Sequence, residues 1–348
     1  MNTRRLLSIG SLILALAGSA VADEVILVPN ATFKVPGNRV RGNIEAETPN
    51  VVKIQPTAGA AQEVPVDQIA SVSYNGQPPM MQLAETSESQ GNLTEAIDRY
   101  KRVAAEASSV PLAAQAAQFG AARSLATLAS ASPNKTDDAL KALEAFIKAH
   151  PKTRHQGPAL ELIARLSLSK GDTARADSAL NELASIPWAA DRAAVLKTRV
   201  LAKKGQNEQA VKQLDAIIAS APKGSRKAVE AQLTRAECLV ALKKFPDAES
   251  SVKGVIKEIP IEAADLQAQA NNTLGDCLRA AGQPKNALKA YLRTDILFDK
   301  DKEEHARALS QIAQLWRELK RDDRADEVVE RLKQQYPQSP WLVRASAR

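Results

Sequence analysis

From Met80 to the C-terminus the hydrophobic pattern is helical and repeats. In six of the seven repeats a glycine or lysine stands five residues before an alanine, and in all seven an apolar residue follows four residues after that alanine. Residues four apart lie on one face of a helix, so each copy of this motif predicts the start of an amphipathic helix. The anchoring alanines are Ala96, Ala139, Ala176, Ala210, Ala248, Ala287 and Ala325, of which Ala139 has only the second half of the motif. The glycine position holds Gly91, Gly171, Gly205 and Gly282, with Lys243 and Lys320 in two further copies.

Each part of this motif has a physical role in a pair of packed helices. A small alanine lets the second helix approach the first closely, glycine at the turn tolerates a left-handed backbone, and proline ends the second helix. Prolines stand about twelve residues beyond most anchors, at Pro151, Pro187, Pro222, Pro260 and Pro337. The pattern therefore predicts about seven helix pairs.

The anchors are about 34 to 43 residues apart, close to the 34-residue period of tetratricopeptide repeats. Residues 81–348 resemble this family. The resemblance implies a mainly α fold, a right-handed α-solenoid of about seven helix pairs in which each pair is stabilised by stacking on its neighbours. Trp316 is expected to pack inside the last unit, and Trp341 to fold over the last helix as part of a C-terminal cap.

Residues 23–75 show a different pattern of short β-prone runs, rich in Val, Ile and Thr and separated by turn signals such as Pro36-Gly37-Asn38. The order of these runs is similar to that of a small barrel of the Sm-like or Src-homology type. We therefore expect a small β-barrel-like domain before the solenoid, joined to it by a linker at residues 76–80. The alternative is a β-rich cap with no ligand of its own.

The first 22 residues have the layout of a secretory signal peptide. Arg4 and Arg5 precede an apolar run and a small-residue stretch, and Ala20 and Ala22 supply a cleavage pattern. We expect cleavage after Ala22 and a periplasmic or secreted protein. There is no cysteine near the cleavage site to carry a lipid anchor, and the apolar run is short for a membrane span, so no transmembrane segment is expected in the mature chain.

Composition and charge restrict the classes of partner that the chain is expected to bind. Hydrophobic residues make up 44% of the chain but aromatic residues only 3%, which suits small-residue helix packing better than a large enzyme core. The formal charge is +7, or about +5 without Arg4 and Arg5. No run of basic residues resembles a nucleic-acid-binding arm, and the chain is expected to be exported, so we expect no nucleic acid partner, whereas the charge permits weak contact with cell wall or an anionic membrane surface.

The sequence predicts no enzyme, cofactor or metal site, because no nucleophile elbow, phosphate-binding loop or metal-ligand motif is present. His150 and His155 flank a turn and are expected to be solvated or to cap a helix. Cys238 and Cys277 occupy equivalent positions in adjacent repeats, ten residues before their anchors, which should hold them too far apart for a disulfide. We expect both to be buried and reduced.

Tetratricopeptide arrays bind partners along a groove lined by the first helix of each unit, and the resemblance carries this over to two positions, eleven and eight residues before each anchor. These positions hold Arg165, Arg199, Glu237, Asp276, Arg279, Gln314 and Arg317. They do not reproduce the clamp by which some family members hold a carboxylate. Polar side chains near Lys197 and Arg235 place the register of this groove in question.

Two functions are consistent with the sequence. The first is a non-catalytic envelope scaffold that holds a segment of a protein partner in the groove and helps to assemble an envelope complex. The second is binding of peptidoglycan or an acidic polysaccharide, which the positive charge and the arginines would favour. Salt sensitivity would separate them, because binding to a charged polymer weakens as salt is added.

Overall fold

A computed structural model describes residues 22–337 and 339–346. The predicted signal peptide lies outside this range except for Ala22. Seven consecutive helix pairs follow a small β-sheet, which confirms the predicted α-solenoid. The pairs are α1 (Met80–Ser89) and α2 (Leu93–Glu106), α3 (Pro111–Ala131) and α4 (Thr136–Ala149), α5 (Gln156–Lys170) and α6 (Thr173–Ala184), α7 (Ala190–Lys203) and α8 (Asn207–Ser220), α9 (Arg226–Ala241) and α10 (Phe245–Glu258), α11 (Ala264–Ala280) and α12 (Pro284–Leu297), and α13 (Lys302–Glu318) and α14 (Asp322–Gln335). A short helix, α15 (Pro340–Ser346), completes the fold.

The repeat predicted from the anchoring alanines agrees with the packing of the helices. All seven anchor alanines lie in the second helix of a pair and are fully buried. The apolar side chains four residues later are also buried, except Val329 in the last unit, which is half-buried. The small alanine side chain lets the two helices of a pair approach closely, and the next turn of the helix supplies the larger core side chain.

The turns inside the pairs follow the same frame. Gly91, Gly171, Gly205 and Gly282 all have positive φ, between 72° and 85°. Lys243 and Lys320, which replace glycine in two units, have φ of 60° and 61°. The turn therefore requires a left-handed residue whatever side chain is present, and the two lysines occupy a conformation that is unfavourable for residues with a Cβ.

The N-terminal strands form one open sheet, so the predicted barrel is wrong. The strands are β1 (Asp23–Leu27), β2 (Arg39–Glu47), β3 (Val51–Pro56), β4 (Gln62–Pro65) and β5 (Ile69–Ser73), in the antiparallel order β4-β3-β2-β1-β5. A 3₁₀ turn, Val66–Gln68, carries the chain from one edge of the sheet to the other, so β5 pairs with β1 and does not return beside β4. The buried side chains of the sheet share one apolar cluster with those of α1–α3.

Polar contacts hold the sheet against the solenoid. Arg154, between α4 and α5, donates to Glu47 at 3.0 Å, and Tyr74 donates its hydroxyl hydrogen to the same carboxylate at 2.7 Å. The side chain of Glu47 is only 1% exposed. Trp188 donates from Nε1 to the backbone oxygen of Pro49 at 2.8 Å. The sheet is therefore fixed at the junction of the second and third units through a buried charge that needs its partner. Trp188, in the turn Pro187–Ala189 between the third and fourth units, adds a neutral hydrogen bond.

The C-terminal cap is present. Helix α15 packs on α13 and α14, and Trp341 is half-buried against the cluster that contains Leu309 and Leu332. Trp316 is half-buried and packs against the core of the preceding units. Terminal repeats of a solenoid expose an apolar face unless a cap covers it, and α15 supplies that cover.

The cysteines and histidines give one agreement and one correction. Cys238 and Cys277 are free and buried. His150 is partly exposed and lies 2.6 Å from Gln118, but His155 is 5% exposed and stacks on Phe119 with ring centroids 4.5 Å apart. The expectation of a solvated or capping His155 is therefore wrong, because α3 of the preceding unit covers the turn where it lies. No helix in residues 22–337 and 339–346 is both long and apolar enough to span a membrane.

Candidate functional site

The first helices of the third, fourth and fifth units enclose an open cavity of about 410 Å³. We call it the central pocket. Helices α5, α7 and α9 line it, with one residue from the start of α8. Its walls are Arg165, Leu168, Ser169, Leu196, Arg199, Ala202, Lys203, Asn207, Thr234, Glu237, Cys238 and Ala241. Three groove residues predicted from the sequence, Arg165, Arg199 and Glu237, meet here.

The floor of the central pocket is apolar. Leu168, Leu196 and Cys238 are 7%, 3% and 1% exposed, so each presents a small patch at the base of the cavity. Burial raises the pKa of the Cys238 thiol to about 11, which keeps it protonated and unreactive at neutral pH. The floor can therefore pack against an aliphatic side chain, but it has no nucleophile to offer.

The rim of the central pocket carries positive charge that is only partly neutralised. Arg199 donates from Nε and Nη2 to the Thr234 hydroxyl, at 3.4 Å each, and its nearest carboxylate, Glu237, is 4.0 Å away. Arg165 forms an ion pair at 2.7 Å with Glu161, which also pairs with Arg192 at 2.8 Å. One carboxylate shared by two arginines leaves positive charge free to attract an acidic ligand.

One polar atom at the pocket has no partner within the described residues. The Oδ1 atom of Asn207 is buried and accepts no hydrogen bond there. A buried acceptor without a partner is costly, and a donor such as a peptide N–H would relieve that cost. Asn207 lies three residues before its anchor alanine, at the start of the second helix of its unit.

The other predicted groove residues lie further along, on α11 and α13, and do not reach the central pocket. Arg279 donates to Gln311 at 2.6 Å, to Gln314 at 3.0 Å and to Glu318. Asp276 accepts hydrogen bonds from Tyr291 and Arg307. We call this group the C-terminal network.

Arg317, the last predicted groove residue, is also engaged. It donates to the backbone oxygen of Ala345 in α15 and lies 3.6 Å from Asp326. The C-terminal network and Arg317 thus bind neighbouring helices of the chain itself, and few of their hydrogen-bonding groups remain for a partner.

Sequence reasoning missed several lining residues. Thr234 lies fourteen residues before its anchor and Lys203 seven before its own, on the same helical face as the position eleven before. Including the residues one helical turn before and after the position eleven residues from each anchor would have identified both. Asn207 belongs to a second helix, so no frame confined to first helices could have found it.

Comparison with known proteins gives the type of repeat. Tetratricopeptide repeat family models match residues 197–260, and also residues 116–153 and 307–339. The chain contains tetratricopeptide repeats. The first match includes the second half of α7, together with α8, α9 and α10, and so covers two sides of the central pocket. Family models of this type describe repeats that commonly serve as protein-binding scaffolds.

Solved structures of the same type are similar to the chain. A tetratricopeptide repeat protein from Parabacteroides merdae is 15% identical, covers 77% of this chain and 98% of its own, and has a TM-score of 0.47. A Rap protein complexed with competence and sporulation factor is 13% identical, with coverage of 75% and 76% and a TM-score of 0.47. The type IV pilus biogenesis factor PilW is 16% identical, with coverage of 61% and 90% and a TM-score of 0.39. None of the curated proteins compared with the chain matches it.

Proposed function

We propose that this protein is an exported, non-catalytic scaffold that holds a segment of a partner protein in the central pocket and thereby helps to assemble an envelope complex. The tetratricopeptide repeats support a protein-binding role. The signal-peptide pattern of residues 1–22 supports export. The observation that carries the proposal is the combination, in one cavity, of an apolar floor and arginines whose charge is incompletely paired.

The chemistry of the pocket indicates the kind of segment. An aliphatic side chain would pack on Leu168 and Leu196, and a neighbouring carboxylate would accept from Arg199 or Arg165. Arg presents a planar set of donors that suits a carboxylate, so this contact also orients the segment. We therefore expect partner segments in which acidic residues alternate with aliphatic ones.

A charge-reversal experiment tests the proposal. The mature chain, residues 23–348, and its Arg165→Glu/Arg199→Glu variant would be used as baits in native envelope extract, and bound proteins identified by mass spectrometry. In parallel, a fluorescein-labelled peptide of alternating Glu and Leu, the Glu-Leu probe, would be titrated against both proteins. We expect at least a tenfold weaker affinity for the variant, or a loss of about 1.4 kcal/mol or more.

The matched control is Arg175→Glu/Arg324→Glu. These two arginines lie on second helices, α6 and α14, with side chains 40% and 52% exposed, and the change in net charge is the same. This variant should bind like the unaltered protein. A second variant, Ala202→Phe, fills the pocket without changing its charge and should also abolish probe binding.

The outcome that contradicts the proposal is specific. If both charge-reversed proteins lose binding equally, the interaction depends on overall charge and the central pocket is not the site. If purified cell wall is retained and no protein is, the groove does not bind a protein segment.

A further inference from the structure

The charge of the groove changes sign within the central pocket. Arg165 of α5 and Arg199 of α7 stand eleven residues before their anchor alanines. Glu237 of α9 and Asp276 of α11 stand at the same distance before theirs. The first helices of neighbouring units pack side by side from α5 to α11, so these residues form a row across the groove. The row therefore carries two positive charges followed by two negative charges.

The positive side of the pocket is formed by α5 and α7. Lys203 of α7 lines the pocket and is exposed, and it makes no ion pair within the part of the chain that the structure describes. Arg165 shares the carboxylate of Glu161 with Arg192, at 2.7 and 2.8 Å. With Arg199, three cations line this side and only one shared carboxylate opposes them, so the side attracts an acidic group.

Glu237 forms the negative side of the pocket, and its charge is available to a ligand. Its side chain is 46% exposed, and among the described residues the only cation within ion-pair distance is Arg199, at 4.0 Å. Arg199 directs its donors to the hydroxyl of Thr234, so no hydrogen bond joins the two charges. A partly exposed pair of this length is weak, and each member can exchange it for a ligand group of opposite charge.

Asp276, the next acidic residue of the row, is already satisfied within the fold. It accepts hydrogen bonds from Tyr291 and Arg307, and the side chain of Arg307 is only 18% exposed. The charge of Asp276 is therefore compensated by its own neighbours. Glu237 is the carboxylate of this row that a ligand in the central pocket can use.

We propose that the central pocket selects partner segments that carry an acidic residue and a basic residue on either side of an aliphatic one. The acidic group binds Arg165 and Arg199, the aliphatic side chain packs on the apolar floor, and the basic group binds Glu237. This selectivity rests on the proposed function of the pocket and adds a third contact to the acidic and aliphatic ones. A second acidic residue in place of the basic one would be repelled by Glu237.

An extended segment meets these requirements. Side chains two residues apart lie on one face of an extended chain, so the acidic, aliphatic and basic residues would occupy positions i, i+2 and i+4. They span about 13 Å at about 3.3 Å per residue, which lies between one and two helix spacings of about 8–10 Å. An extended segment also has free backbone N–H groups, one of which can donate to the unpaired Oδ1 of Asn207, whereas a helix has bonded most of its own.

Two peptides that differ at one residue test the selectivity. The dipolar probe is fluorescein-labelled Ser-Glu-Ser-Leu-Ser-Lys-Ser, and the acidic probe has Glu in place of Lys. Both are titrated against the mature chain, residues 23–348, and we expect the dipolar probe to bind at least tenfold more tightly. The chain is positively charged overall, so non-specific attraction would favour the acidic probe, the opposite of the expected result.

Substitutions of Glu237 then locate the selectivity in the pocket. Glu237→Gln should reduce the preference for the dipolar probe to less than threefold. Glu237→Lys should reverse it, so that the acidic probe binds at least threefold more tightly. The matched control is Glu182→Lys, which makes the same change of charge at an exposed position of the second helix α6 and should keep the tenfold preference. Circular dichroism checks that each variant is folded.

The outcomes separate this inference from the proposed function. If the unaltered protein binds both probes equally and Arg165→Glu/Arg199→Glu binds neither, the pocket holds a segment but does not select a basic residue. If Glu182→Lys reverses the preference as Glu237→Lys does, the preference reflects overall charge and the role of Glu237 is wrong. If neither probe binds the unaltered protein, the pocket does not hold such a segment, and both proposals are wrong.

Discussion

The central pocket and the C-terminal network occupy equivalent positions of the repeat but differ in how their arginines are paired. Arg199 in the pocket has only a threonine hydroxyl at 3.4 Å and a carboxylate at 4.0 Å. Arg279, one helical turn along the equivalent face of α11, reaches three side chains of α13. A repeat position by itself therefore does not make an arginine available for binding.

The difference arises from the neighbouring unit. Beside Arg279, α13 presents Gln311, Gln314 and Glu318, which accept all of its hydrogen bonds. Beside Arg199, α9 presents Thr234, buried and short, and Glu237 at the limit of an ion pair. The C-terminal network stabilises the contact between two units, whereas the central pocket leaves charge exposed above an apolar floor, a combination suited to binding.

Replacing one arginine by methionine in each region should give the largest difference in the free energy of unfolding. Arg307→Met removes the partner of Asp276 and Glu304, and its side chain is only 18% exposed, so we expect the free energy of unfolding to fall by about 2 kcal/mol. Arg199→Met should change it by less than about 0.5 kcal/mol, because the group it leaves is a hydroxyl already bonded to a backbone oxygen. Urea denaturation followed by circular dichroism measures both.

The two variants should affect the affinity for the Glu-Leu probe in the opposite order to their effects on stability. Arg199→Met should weaken the Glu-Leu probe, and Arg307→Met should not. If Arg199→Met costs as much stability as Arg307→Met, the two regions have the same structural role and the contrast between them is wrong.

The part of the fold that depends on local pattern was predictable from the sequence. Ala96 and Ala325, at opposite ends of the array, are equally buried because each helix pair repeats the same packing within its own forty residues or so. Lys243 and Lys320 adopt the left-handed turn of the glycines because the frame demands it. These features depend on residues close together in the chain.

Other features depend on contacts between distant residues. Lys302 contacts Ser89 because each of the seven units adds to the curvature of the solenoid, which brings the last unit close to the first. The spacing of residues in the sequence does not predict this total curvature. The partners of Arg279 lie more than thirty residues away in α13. His155 was expected in solvent because the turn was considered without Phe119, which covers it from α3.

The histidines extend the comparison to pH. Both ring nitrogens of His305, in the last unit, have partners, Tyr336 at 2.7 Å and Asp295 at 2.8 Å. His155 lies just before α5, the first helix of the pocket. Its Nε2 has no partner within the described residues, and burial, followed by the charges of Arg154 and Arg123, lowers its pKa well below the ordinary value.

The sign of the pH effect follows from that lowered pKa. Below about pH 6.5 the unfolded chain binds a proton at His155 that the folded chain does not, so stability is lost at about 1.4 kcal/mol per pH unit until the folded pKa is reached. His155→Leu should remove this loss between pH 6.5 and 5.5, as measured by urea denaturation at each pH. His150→Gln is the control at the partly exposed histidine nearby and should change the slope less. An unchanged slope in His155→Leu would mean that another group causes the acid destabilisation.

The smallest effect concerns the backbone and should be the same in both regions. Lys243 follows α9 of the central pocket, and Lys320 follows α13 of the C-terminal half. Both have φ near 60°, where glycine is favoured over residues with a Cβ by about 1 kcal/mol, partly offset by the greater freedom of glycine in the unfolded chain. Lys243→Gly and Lys320→Gly should therefore each raise the free energy of unfolding by about 0.5 kcal/mol and leave probe binding unchanged. Gly171→Ala, at the equivalent turn of the third unit, should lower it. A gain at only one of the two lysines would show that the backbone of the two regions also differs. Side-chain pairing alone would then not explain the contrast between the proposed binding pocket and the network that stabilises the fold.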